Sequence, residues 1–308
     1  MGGSNILKSG MIPRKLARAV ILSGLVFASA AGIAAGADGL ELSLRTRTSD
    51  QAEPNFQSVE WDPQETAMII CDMWDQHWCK SATRRVAEMA GPLNETIKAA
   101  RAKGVLIIHA PSSVTEFYAG TSARELARNA PQSVLPDSPL AKEGWETGWC
   151  LLEPEREGAL PIDDSDGGGS CDGIKCEVRS PWSRQIETIE IKEGDALTDD
   201  GRETWNVLED RGIENVILAG VHLNMCVLGR PFGIRQMVRT GKNVALMRDM
   251  TDTMYNPEQS PGVDHFTGTD LMIAHVETNW CPSITSVEFT GGEAFRFPRD
   301  VRSDSDSD

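Results

Sequence analysis

Runs of apolar residues, and the rhythm at which polar ones interrupt them, divide the chain into strands, helices and one long irregular section. Val216-Ile217-Leu218-Ala219-Gly220-Val221 is continuous, rich in β-branched residues and bounded by polar ones, the pattern of a strand buried on both faces. Residues 66–71 (TAMIIC) and 105–108 have the same character, and 186–191, 243–247 and 286–289 are read as further strands. Residues 40–48 (LELSLRTRT) alternate apolar and polar, which predicts an exposed or edge strand leading into the domain. Helical spacing marks 84–103 (with an interruption near Gly91-Pro92), 122–128, 201–211, 225–240 and 269–280. Strands alternating with helices predict an α/β fold, a mostly parallel sheet covered on both faces. Residues 112–185 are rich in Gly, Pro and Asp and hold only the helix at 122–128.

The N-terminus changes the compartment. Lys8, Arg14, Lys15 and Arg18 lead into the uncharged stretch 19–35, and Ala35-Gly36-Ala37 has the small-x-small form of a cleavage site. The reading is a signal peptide over 1–37, a mature chain from Asp38, and an exported protein, periplasmic or secreted. The remaining 38–65 form an N-terminal extension carrying the edge strand, 66–290 the main domain with its insert at 112–185, and 291–308 an acidic tail. Losing four basic residues moves the net charge from −16 to −20. That balance argues against nucleic acid or an anionic membrane as partner. No stable membrane insertion is expected after cleavage, and whether the chain forms a homo-oligomer is left open. Seven cysteines leave one thiol over if the rest pair, and Cys171 with Cys176, around a short Gly-containing loop, is the pair easiest to close.

Chemistry is sought at the carboxyl ends of the strands, where ligands bind in open α/β sheets. Asp72, His109, Lys192, His222 with Cys226, and Asp249 fall there. Cys226 follows the 215–221 strand at the start of a helical run, beside unpaired backbone N–H groups that favour a thiolate and can bind an oxyanion. A small buried hydrophobe is the competing reading of the same cysteine. An Asp, a Lys and a Cys on neighbouring strands make a coherent set: the cation stabilises the thiolate, and the carboxylate moves a proton. Asp163-Asp164-Ser165-Asp166-Gly167-Gly168-Gly169 has neither the strand and Lys of a phosphate loop nor the Glu of an EF-hand, and is read as a solvated surface loop.

With those residues in place, the chain over about 66–290 resembles the isochorismatase-like cysteine hydrolases, which include nicotinamidases, N-carbamoylsarcosine amidase and ureidoacrylate or maleamate amidases. The resemblance is carried by the strand ending in Asp72-Met73, by Lys192, and above all by Gly220-Val221-His222-Leu223-Asn224-Met225-Cys226-Val227. It implies a three-layer α/β/α fold around a six-stranded, mostly parallel sheet, with Cys226 as nucleophile, Asp72 as proton acceptor and donor, and Lys192 (or Lys175) as the thiolate-stabilising cation. It further implies a cis peptide at Val221–His222 and an oxyanion hole from the backbone N–H groups of His222 and Cys226. Trp74, His77, His109 and Asn224 are candidates for the substrate pocket. Nicotinamidases hold a metal through Asp-x-His after the second strand; that place here reads His109-Ala110-Pro111-Ser112, so the usual metal motif is absent and no cofactor is expected. Asp75-Gln76-His77 has the spacing after the first strand and keeps a divalent metal open beside the reading of His77 as a pocket wall. The partner implied is a small-molecule substrate with an amide or related C–N bond. Hydrolysis of a vinyl ether, or a non-catalytic binding or scaffold role on the same fold, are the alternatives.

Overall fold

The computed structural model describes residues 39–49, 53–137, 145, 148–169, 177 and 179–302. The expected signal peptide, Cys171, Lys175, Cys176 and the last six residues lie outside them. β3 (Thr66–Cys71) and β6 (Asn215–Val221) are buried at every position and pair in parallel, in register from Thr66↔Asn215 to Cys71↔Gly220. Their side chains alternate between two cores. Ile69, Val216 and Leu218 enter one; Met68, Ile70, Ile217 and Ala219 enter the other. A strand covered on both faces has no polar face to show, which is why these two read as unbroken apolar runs.

β7 (Asn243–Asp252) and β8 (Ser283–Ile284) extend the parallel sheet on one side, β4 (Leu106–Ala110) and β5 (Ala196–Leu197) on the other. These six parallel strands match the expected number. The sheet nevertheless has eight, in the order β2-β1-β8-β7-β6-β3-β4-β5, because a hairpin of β1 (Leu40–Thr46) and β2 (Asn55–Trp61) adds antiparallel to β8. β1 buries Leu40 and Leu42, whereas every residue of β2 is exposed or half-buried. A strand without a buried face leaves no periodic trace, and β2 was unreadable for that reason.

Helix α1 (Lys80–Lys103) covers one face. It runs through Gly91-Pro92 without interruption, since Met89 and Ala90 before the proline and Leu93 and Ile97 after it are all fully buried. That packing outweighs the ~3 kcal/mol cost of an internal proline. Gly104, at φ 103°, closes it. The other face carries α2 (Ser122–Arg128), α4 (Gly201–Asp210), α5 (Ile234–Arg239) and α6 (His265–Asn279), whose Ala127, Val207, Leu208, Ile234, Met237, Met272 and Val276 share one core. The result is a three-layer α/β fold. Among the described residues no helix is long and apolar enough to cross a membrane.

Two expected strands are not strands. Residues 186–191 form a turn, with Ile189 N–H donating to Ile186 O at 3.1 Å, and the sheet is entered only at Ala196. Ile189 and Ile191, two apart, imitate strand alternation, but they pack into different clusters. Residues 286–289 lie largely in a short helix, α7 (Val287–Thr290), and the strand falls earlier at β8. Residues 291–302, expected to be tail, return over the domain, with Phe297 buried and Arg302 2.6 Å from Asp270.

The long insert is anchored by one buried carboxylate. Glu157, in α3 (Pro154–Glu157), accepts from Arg235 Nε and Nη2 at 2.9 and 2.8 Å, from His275 Nε2 at 3.0 Å and from Trp280 Nε1 at 2.9 Å. Burial opposes its charge, but those donors hold its carboxyl down at about 2. The expected solvated loop at 163–169 is also tied down: Asp164 accepts from Asn224 at 2.8 Å and Asp166 from Asn256 at 2.9 Å.

Candidate active site

Two strand ends make the site. β3 stops at Cys71, and Asp72 turns the chain with φ 47°, a left-handed conformation that Asp tolerates better than most residues and that is found at strained functional positions. Its N–H stays bound to Ala110 O at 3.1 Å, and its Oδ1 accepts from Ser112 N–H at 2.6 Å. Next door, β6 reaches Gly220 at φ 104°. A Cβ there would lie 2.1 Å from Cys71 O, so only glycine lets the two strand ends come this close. The Val221–His222 peptide is cis. A single π-helical turn, Leu223–Val227, then presents Cys226, with Met225 and Val227 N–H groups both donating to His222 O.

The cation beside this pair is Arg230, one helical turn after Cys226, whose N–H donates to Cys226 O at 2.9 Å. Arg230 Nε stands 3.7 Å from Asp72 Oδ2, and its guanidinium lies over the Trp149 ring at 4.4 Å. Asp72 Oδ2 and Arg230 Nε are both buried and neither completes a hydrogen bond. Burial raises the Asp72 carboxyl from 3.8 to about 6, against the pull of Arg230 and of hydrogen bonds from Cys226 and Ser112. Burial, and then the Asp72 carboxylate, push the Cys226 thiol far above its usual range, and Arg230 only partly offsets them. At neutral pH the resting pair is therefore a thiol facing a carboxylate. This corrects the expected low-pKa thiolate: a helix end and a cation do not outweigh full burial beside a negative charge.

Lys192 is not brought to this pair. It precedes β5 and so sits at the amino edge of a parallel sheet, with its side chain 53% exposed and Nζ 2.6 Å from Glu190. The 186–191 misreading placed it at a strand's end. His109 is fully buried, but its ring is held by Gln185 at 3.1 Å and Asp195 at 3.2 Å on the α1 side of the sheet, away from Cys226. Asn224 spends its amide on Asp164 and on Met254, from N–H and to O, so it braces the nucleophile turn rather than facing a substrate. Asp249 lies within β7, which continues to Asp252; it is not at the strand's end.

Trp74 and His77 are better placed. Trp74 stacks on Trp182 at 4.5 Å, His77 stacks on the same indole at 5.5 Å, and His77 meets the His222 ring edge-on at 5.0 Å. Burial first, then the charge of Arg85, lower His77 to about 4 against the opposing charge of Asp252, and His222 is lowered also. Both rings are neutral at pH 7. His77 Nδ1 accepts from Cys79 N–H at 3.1 Å, and Asp75 is taken up by Ser183, so Asp75-Gln76-His77 does not fit a metal. Among the described residues no cluster of three His, Cys, Asp or Glu fits one either. All five described cysteines are thiols, Cys71 among them beside Asp72; the expected Cys171–Cys176 bridge lies outside the described residues.

Sequence reading missed the roles of Arg230, Trp149 and Trp182. The i, i+4 spacing from Cys226 was a usable pointer to Arg230. Nothing local marked the two tryptophans: Trp182 comes from the stretch whose Gln185 pairs with Trp74, and Trp149 from the one whose Cys150 N–H donates to Gly229 O.

Fold and site together define a three-layer α/β protein with a Cys–Asp–Arg cluster at the carboxyl edge of its parallel strands. No protein-family model and no curated protein matches the chain. Solved structures do. A cysteine hydrolase from Pseudomonas syringae pv. phaseolicola 1448A is 18% identical, over 77% of this chain and 96% of that one, with a TM-score of 0.46. An isochorismatase from Pseudomonas putida KT2440 is 13% identical, over 74% and 91%, with a TM-score of 0.43. N-carbamoylsarcosine amidase from Thermoplasma acidophilum is 15% identical, over 61% and 83%, with a TM-score of 0.34. Such values are too low to assign an activity, which has to come from the residues themselves.

Proposed function

We propose that this chain is an exported, cysteine-dependent hydrolase of a small amide or related C–N bond, working through an acyl-enzyme on Cys226. The observation that carries this reading is the Asp72–Arg230 pair bearing on a buried thiol. Asp72, ionised above about pH 6, takes the proton from Cys226 as its sulfur attacks the substrate carbonyl. The backbone N–H groups of His222 and Cys226 receive the oxyanion. Asp72 then gives its proton to the departing amine, leaving a thioester. A water molecule, deprotonated by Asp72, attacks the thioester; the acid leaves and the thiol regains its proton. Arg230 balances the carboxylate's charge in this sequence, and stands where Lys192 was expected as the thiolate-stabilising cation.

Against a panel of small primary amides and ureido compounds, Cys226→Ala is expected to lose at least about 10³-fold in kcat/KM on whichever substrate turns over. Its circular dichroism should be unchanged, because the side chain is small. Wild-type turnover by this variant would refute the nucleophile and leave the scaffold reading. Export rests on residues 1–37 alone; N-terminal sequencing of the mature protein should begin at Asp38, and an intact Met1 or Met11 would overturn it.

A further inference from the structure

β8 is two residues long, and β7 runs past it. Pairing of β7 with β8 ends at Met247↔Ile284, while its pairing with β6 jumps from Leu218↔Leu246 to Gly220↔Thr251. Arg248 and Asp249 stand in that jump, where the neighbouring strand has stopped. The gap is a cavity of about 290 Å³ closed by Phe266, Thr269 and Ile273 of α6 and by Phe295 and Phe297 of the returning segment. The three phenyl rings pack on one another, with centroids 5.5 and 5.0 Å apart, and make an apolar wall.

The charges around the cavity are matched except at one point. Asp249 accepts from Ser286 N–H at 2.9 Å and Phe295 N–H at 3.1 Å; Asp270 and Asp300 are 2.6 and 2.8 Å from Arg302; Arg45 is 2.8 Å from Glu277. Arg248 makes one hydrogen bond, Nη1 to Ser283 Oγ at 3.3 Å, and no ion pair among the described residues. Ser283 Oγ itself donates to Glu277, whose carboxylate already serves Arg45 and Arg47. Arg45 and Arg47 thus take that carboxylate directly, and Arg248 reaches it only through the Ser283 hydroxyl, in a chain of net charge −16. Burial, and then Arg45, disfavour the Arg248 cation further. A half-buried guanidinium with unused donors facing an apolar-walled cavity suits an anion that brings its own apolar body.

We propose that this cavity binds a small organic monocarboxylate, its carboxylate on Arg248 and its apolar part against Phe266, Phe295 and Phe297. A dianion is disfavoured by Asp249, Asp270 and Asp300 around the same space. The volume suits a body of about one ring. The site stands on β7 and β8, separate from Cys226, and does not depend on the hydrolase reading.

Isothermal titration of the full chain with benzoate tests it, with benzyl alcohol as the uncharged counterpart. Wild type and Cys226→Ala should show the same saturable binding of benzoate and none of the alcohol. Arg248→Met should weaken benzoate at least about tenfold, roughly 1.4 kcal/mol. Should Arg248→Met fail to fold, Ala294→Trp, at an exposed lining position, blocks the cavity instead and should abolish binding. Absence of binding to wild type, equal binding to the blocked or Arg248 variant, or loss in Cys226→Ala would each overturn the proposal.

Discussion

Asp72→Asn is expected to lower kcat/KM by about 10³-fold and, at pH 8, to make the folded chain more stable. The activity loss follows from chemistry, since an amide cannot take the thiol proton. The stability gain follows from linkage. Asp72 is raised from 3.8 to about 6 in the folded state, so its contribution favours folding at low pH and is lost as pH rises through about 6. Above that point the folded chain carries a buried charge at a cost of up to about 3 kcal/mol, a figure that already includes Arg230's attraction. Asn removes the charge and can keep the Ser112 N–H bond. Urea unfolding should therefore separate the two proteins at pH 8 and bring them together near pH 4. The wild-type kcat/KM profile should show its acid limb near pH 6. A less stable variant at pH 8, or an active one, would mean that Asp72 is not the buried base.

Arg230→Met should slow both turnover and alkylation of Cys226, while Lys192→Met should change neither. Arg230 is the group that draws both the Asp72 and the Cys226 ionisations downward, and Lys192 acts on neither. Without the guanidinium the carboxylate's titration moves above about 6, so the acid limb of activity shifts upward. Iodoacetamide labelling followed by mass spectrometry at pH 8 reads the thiol directly. Wild-type Cys226 should label more slowly than a model thiol, because it rests protonated, and Arg230→Met should label at least about tenfold more slowly again. If Lys192→Met slows labelling and Arg230→Met does not, the cation has been misassigned.

What could be read from sequence follows burial. β3 and β6 were placed to the residue because both faces of each are covered, and the turn bearing Cys226 followed from where β6 ends. Lys192 failed because Ile189 and Ile191, two apart, look like alternate residues of a strand, although they pack into different clusters in space. Arg230 lies one helical turn from Cys226 in the sequence, but its 3.7 Å approach to Asp72 joins residues 158 positions apart, and no local pattern encodes it. The hairpin's second strand and the two tryptophans of the insert were hidden for the same reason. Their roles are set by what they dock against.

That last point bears on how such a chain can change over generations. The reacting groups sit on 72 and 226–230, at the ends of strands whose register Gly220 fixes. Trp149 and Trp182 belong to the insert, which is moored by Glu157 and does not share that register. Mutation in the insert can therefore reshape what is admitted beside Cys226 while the sulfur, carboxylate and guanidinium keep their spacing. Chemistry and selectivity are written on separate stretches of the chain and can be inherited separately.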